Sequence, residues 1–189
     1  QRMIPDYTAS LEASTEGACE DGACEPEHEV QASTDFAQCA RSGAKDCGTL
    51  PAIGATEWLN SLGEPHGTVT LVDFWSSSCV NCAREIPEVE RIYEKYKDAG
   101  LVVIGVHSPQ QAHEREASVV SGAASRLGIT YPVALDPELE AFKAYGANAW
   151  PTHYLAGPDG QLRSMGRGTS GLEEQIRTLL TEAGASLPN

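Results

Sequence analysis

The sequence predicts an α/β domain with a mixed central sheet flanked by helices, and three observations predict it. Val69 to Trp75 and Leu101 to Val106 are β-branched and apolar runs that read as buried strands. Between them Ile86, Val89, Ile92, Tyr93 and Tyr96 recur at helical spacing. Further along, Gly157-Pro158-Asp159-Gly160 marks a hairpin turn. Strand–helix–strand alternation asks for parallel strands, and the hairpin adds antiparallel ones.

Residues 1–50 read as an acidic, cysteine-containing extension, and 51–189 as the folded domain. The first 35 residues carry acids from Asp6 to Asp35 against a single base, Arg2. Four of the six cysteines lie in the extension: Cys19, Cys24, Cys39 and Cys47. They allow three pairings. Cys19–Cys24 with Cys39–Cys47 is the favoured one, because local pairs close small loops. The extension is expected to be loosely structured and stapled by these bonds. So many cysteines in a polar segment argue for an oxidising compartment.

The elements follow in order. Asp35 to Gln38 starts a short helix. Thr56 to Leu62 is expected as another, with Trp58, Leu59 and Leu62 on one face. Val69 to Trp75 is a strand. A helix from Cys82 to about Ala99, kinked by Pro87, stops at Gly100. Leu101 to Val106 is the next strand, followed by a helix from Gln111 to Leu127 with Gly128 as its stop. Ile129 to Ala134 is a short strand. Asp136 caps a helix that has Pro137 at its first position and ends near Tyr145-Gly146. His153 to Leu155 and Gln161 to Arg167 flank the hairpin. Ser170 or Gly171 caps the final helix, whose stripe is Leu172, Ile176, Leu179 and Leu180.

A formal charge of −14 and a pI near 4.6 argue against nucleic acid and against anionic lipid surfaces. The longest apolar run is too short to span a bilayer. Gln1 to Pro5 contains no apolar signal core, so a signal is expected to have been removed or the chain to be an excised piece.

The chemistry centres on Cys79-Val80-Asn81-Cys82, at the junction of a buried strand and an amphipathic helix. That position suits thiol–disulfide exchange. Helix N-terminal N–H groups would stabilise a Cys79 thiolate and make it the nucleophile. Cys82, one turn further in, would resolve the mixed disulfide. Asp73, buried on the strand beneath, could take and return the Cys82 proton. Glu85 is expected to be half-buried and to tune Cys82. Pro151, in Trp150-Pro151-Thr152, could be cis and face the dithiol. Trp75, Trp150 and Thr152 are the candidate docking residues. Val80-Asn81 places no cation between the cysteines, so an extreme oxidant is not expected. His107 is expected only to order a loop, and His153 to be an exposed strand histidine. Trp58 is expected in the core. Neither a metal nor a cofactor is expected.

Residues 68 to 182 resemble thioredoxin-fold proteins of the TlpA/ResA group. Val72-Asp73-Phe74-Trp75 before Cys79, and Cys79-x-x-Cys82-x-x-Glu85-x-Pro87, carry the resemblance. Ile104-Gly105-Val106-His107-Ser108-Pro109, Tyr131-Pro132-Val133-Ala134 with Asp136, and Trp150-Pro151 with Tyr154-Leu155 narrow it. They are similar to the soluble C-terminal domain of DipZ-type proteins, which are fused to a CcdA-like membrane domain. The resemblance implies a thioredoxin-like fold with the dithiol at one end of the sheet and cis-Pro151 beside it. It implies an extracytoplasmic, membrane-tethered enzyme. Such an enzyme would pass electrons from a CcdA-like partner, in the same full-length chain or a separate one, to client protein disulfides. It does not place the four N-terminal cysteines. The competing reading is copper binding on such a fold. That usually uses Cys-x-x-x-Cys with a distant His, whereas two intervening residues with Asp73 below favour redox work.

Overall fold

The structure, a computed structural model, describes residues 35–42, 46–61 and 63–188. Cys19 and Cys24 lie outside the described residues. Six strands make one mixed sheet: β1 (Trp58–Leu59), β2 (Val69–Trp75), β3 (Leu101–His107), β4 (Val133–Leu135), β5 (Thr152–Ala156) and β6 (Leu162–Gly166). Their spatial order is β1-β4-β3-β2-β5-β6. β2 and β4 flank β3 in parallel, while β1, β5 and β6 join antiparallel. The helices are α1 (35–41), α2 (Val80–Tyr96), α3 (Ala117–Leu127), α4 (Glu140–Ala144) and α5 (Leu172–Glu182).

Alternation along β2 sorts its side chains between two cores. Val69, Leu71 and Trp75 face α2, α3 and α5, packing with Ile86, Val89, Ile92, Val120 and Ile176. Val72 and Phe74 face the other way and meet Phe36 and Ala40 of α1 and Phe142 of α4. There the Phe74 ring makes edge contacts with Phe142, Tyr145 and Tyr154 at centroid distances of 5.7, 5.1 and 5.7 Å. Cys39 and Cys47 form a disulfide, as the local pairing anticipates.

Gly100 (φ 101°) and Gly128 (φ 71°) end their helices in the left-handed region, as expected from sequence. The hairpin turn, the last helix and its apolar stripe also stand where the sequence puts them. α2 begins at Val80 and runs on through Pro87, with a short 3₁₀ turn at Lys97–Ala99 before the Gly100 stop.

Four expectations need correction. The strand expected over Ile129 to Ala134 is only Val133–Leu135. In the helix expected over Thr56 to Leu62, the described residues 56–61 are not helical: Trp58 and Leu59 pair with Ala134 and Val133 as an edge strand. The Asn60 side-chain amide then donates to the carbonyls of Ile129 and Tyr131, 3.2 and 3.1 Å away. The segment from Gln111 breaks into a 3₁₀ turn (Ala112–Arg115) and α3, because Glu116 is extended (φ −75°, ψ 123°). Asp136 is not adjacent to its helix. Leu139 (φ 61°) intervenes, and the Asp136 carboxylate reaches across to accept from the Ala141 and Phe142 N–H groups, each at 3.0 Å.

Candidate active site

β2 ends at Trp75, and a three-residue loop delivers the chain to the start of α2. Cys79 is the N-cap of α2, in extended conformation, and its Sγ accepts the Cys82 N–H at 3.1 Å. One of the orphan donors of a helix start thus points at this sulfur. Cys79 and Cys82 are joined as a disulfide with Cα atoms 5.2 Å apart. Cys79 is 8% exposed and Cys82 only 1%. The outer sulfur is therefore the one a partner can reach. Val80 between them is 65% exposed, an apolar side chain at the rim of the site.

The loop before Cys79 is held by side chains from beyond β3. The buried carboxylate of Glu114 accepts from the hydroxyls of Ser76 (3.0 Å) and Ser77 (2.8 Å) and from the Ser78 N–H (2.7 Å). It also accepts the N–H groups of Gln110 and Gln111, at 2.6 and 2.9 Å. Burial alone would raise its pKa. The donors from Ser77, Ser78, Gln111 and Gln110 overcome that and take it down to about 2. His107 holds the other side of the loop, its Nε2 accepting the Ser77 N–H at 3.1 Å. Burial lowers its pKa to about 4, so the ring is neutral and its hydrogen sits on Nδ1. His107 orders a loop, as the sequence suggested. Glu114 was missed, since one acid in a polar helical stretch carries no signal of the donors gathered around it.

Asp73 is buried on the α2-facing side of β2. In register beside it on β5 stands His153, and the two rows place both side chains on one face. His153 is not exposed but buried, which corrects the sequence reading. Its Nδ1 lies 3.1 Å from Asp73 Oδ1, a charge contact without hydrogen-bond alignment. Its Nε2 lies 3.1 Å from Glu85 Oε2, within hydrogen-bond geometry. Glu85, on α2, is the half-buried member of the three, with its side chain 23% exposed. Burial disfavours charge on the ring, and the carboxylates of Asp73 and Glu85 reverse this, raising its pKa to about 9.

The Trp150–Pro151 bond is cis. Trp150 is half-buried and stacks on Phe142 at a centroid distance of 4.4 Å. Thr152 is buried, and its hydroxyl donates to the Ala149 carbonyl at 2.7 Å. Trp75 is fully buried, packed in the same core as the two cysteines and edge-on to the His107 ring at 4.8 Å. It contributes from beneath the site and not at its surface. Among the described residues no group of three or more His, Cys, Asp or Glu is arranged to hold a metal ion. No helix among them is long and apolar enough to cross a membrane.

Residues 50–165 match the model of the AhpC/TSA family. The chain is 39% identical over 210 residues to Protein DipZ of Mycobacterium tuberculosis, matching along all of its own length and 30% of DipZ. It is 31% identical over 139 residues to the thiol-disulfide oxidoreductase YkuV of Bacillus subtilis, which covers 68% of this chain and 91% of YkuV. Among solved structures, a thioredoxin-like protein in the oxidised form superposes with a TM-score of 0.64 at 29% identity, over 71% of this chain and 96% of that one. The fold is thioredoxin-like.

Proposed function

The chain belongs to the AhpC/TSA family, and from its dithiol we propose that it is an extracytoplasmic thiol–disulfide oxidoreductase working as a reductase on client protein disulfides. One observation carries this reading. Cys79 Sγ is the reachable sulfur at a helix N-terminus, and Cys82 is sealed directly behind it.

In the reduced protein the Cys79 thiolate attacks one sulfur of a client disulfide. A mixed disulfide forms, and the other client sulfur leaves as a thiolate that takes a proton from water. Cys82 then gives its proton to Asp73 and attacks Cys79 Sγ. The Cys79–Cys82 bond forms, the second client thiolate leaves, and two electrons have passed to the client. His153 borders the Asp73 carboxylate from β5, and Glu85 on α2 meets the other nitrogen of its ring. Val80, Trp150 and the chain at Pro151 and Thr152 make the face that receives the client. Trp75 backs the dithiol from within.

The Cys39–Cys47 disulfide supports an oxidising compartment. The absence of a cation at Val80-Asn81 supports the reductase direction. The chain spans about 30% of the length of the DipZ protein that it matches, and an electron donor of CcdA-like membrane type, in the same polypeptide or a separate one, would re-reduce the dithiol. Residues 51–189 form the redox domain in this reading. Residues 1–50 are a separate segment in this reading, and of its described residues Phe36 and Ala40 pack into the second core.

The reduction potential of the Cys79–Cys82 pair tests the direction. A value well below that of a strong oxidant, about −120 mV, is expected. A value near that figure would contradict the reductase assignment.

A further inference from the structure

We propose that His153 is a positioning residue for the dithiol: an imidazolium set between Asp73 and Glu85, it supplies the counter-charge to the two carboxylates that lie beneath Cys82. The inference rests on reading Cys79 and Cys82 as a redox dithiol.

His153 Nε2 lies in hydrogen-bond geometry with Glu85 Oε2, and its Nδ1 lies 3.1 Å from Asp73 Oδ1 as a charge contact out of hydrogen-bond alignment. A neutral imidazole has one N–H, so a ring donating to Glu85 from Nε2 would leave an unprotonated, electron-rich Nδ1 3.1 Å from the Asp73 anion. The doubly protonated ring suits both. Side-chain exposure falls from 23% at Glu85 to 5% at His153 and 2% at Asp73. Water therefore reaches the Glu85 end and leaves Asp73 dry. A carboxylate held away from water needs a counter-charge beside it. His153 supplies the counter-charge.

The array sits under the resolving cysteine. Asp73 lies between Leu71 and Trp75 on the face of β2 that packs against Cys82 and α2. Glu85 is three residues beyond Cys82, on the same side of the helix. The other groups around the array do not replace His153. Tyr131 is a neutral phenol whose pKa is raised by burial and by Asp73. Arg167 shares with His153 the cleft between β6 and α5, at the exposed end of β6. Burial opposes the imidazolium, but the two carboxylates prevail and its pKa stands at about 9, so the charge persists through neutral pH.

The reacting step is the one already described. The Cys82 S–H bond breaks, its proton goes to the Asp73 carboxylate, and the sulfur attacks Cys79 as the client thiolate leaves. His153 exchanges no atom in it.

The test is the pH–rate profile of client-disulfide reduction by fully reduced protein, for the wild type, His153→Asn, Asp73→Asn and the double variant. Loss of the counter-charge should slow His153→Asn about tenfold at pH 7 and move the acidic limb of its profile up by about two pH units. The rate should recover toward wild type by pH 9, and the double variant should match Asp73→Asn. A wild-type profile for His153→Asn, or a loss equal at every pH, would overturn the proposal. Lack of Cys79-dependent turnover in the wild type would instead sink the parent reading, so the two failures are told apart. If His153→Asn does not fold, the ring nitrogen resonances of the wild-type protein decide. Two protonated nitrogens at pH 8 support the proposal, and a neutral ring at pH 7.5 overturns it.

Discussion

Glu114 accepts the backbone N–H of Ser78 at 2.7 Å, tying the residue before Cys79 to a turn 36 positions further along the chain. The loop that aims the reachable sulfur is thus set by a single buried carboxylate, with His107 on its other side.

Glu114→Gln should therefore loosen this loop and destabilise the fold. The amide keeps one acceptor oxygen and turns an NH₂ group toward the other donors. The folded pKa is depressed, from 4.5 to about 2, so the stabilisation is present above pH 4.5 and lost as pH falls through about 2. Its size at neutral pH is about 3 kcal/mol. Urea unfolding should show a loss of that order for the variant at pH 7, and a flatter acid dependence between pH 4.5 and 2.

Buried His107 and His153 should give stability opposite pH dependences. His107 is depressed to about 4 by burial, so its share is present above pH 6.5 and lost as pH falls toward 4. His153 is raised to about 9, so its share is present below pH 6.5 and lost as pH rises through 9. Unfolding free energies across pH 4 to 10 for His107→Gln and His153→Gln check this. The gap to wild type should close on the acid side for the first and on the alkaline side for the second.

Gly105→Ala should strain the region beside the site. A Cβ there would lie 2.8 Å from Tyr131 Cε2 and 3.1 Å from Trp75 Nε1. Both rings are fully buried and have nowhere to retreat. Overpacking of this kind costs about 1–3 kcal/mol. A lower urea midpoint together with a changed Trp75 near-UV signal is the expected outcome.

Much of this was legible in the sequence, for physical reasons that also explain the rest. β2 and β3 are buried on both faces, so their composition alone marks them. The α2 stripe and the Cys79–Cys82 spacing are local patterns. Trp58 and Leu59 were misread because apolar residues this few fit either period, and an edge strand is decided by its partner. His153 looked exposed because its burial depends on β5 lying beside β2, and pairing order is not written in a strand. Glu114 was invisible because its donors come from two separate segments, 76–78 and 110–111.

Cys82→Ser should trap the exchange midway. With no resolving sulfur, Cys79 should remain bonded to the client. A covalent adduct sensitive to reductant should accumulate on mixing the reduced variant with a disulfide substrate, and mass spectrometry should place it on Cys79. Cys79→Ser should form none, because Cys82 is only 1% exposed.

The most direct measurement is insulin disulfide reduction by the reduced protein, run beside Cys79→Ser. Turnover by the wild type and none by the variant is the expected result. A wild type without turnover, or a Cys79→Ser variant that keeps it, would contradict the assignment of Cys79 as the attacking sulfur of a redox dithiol.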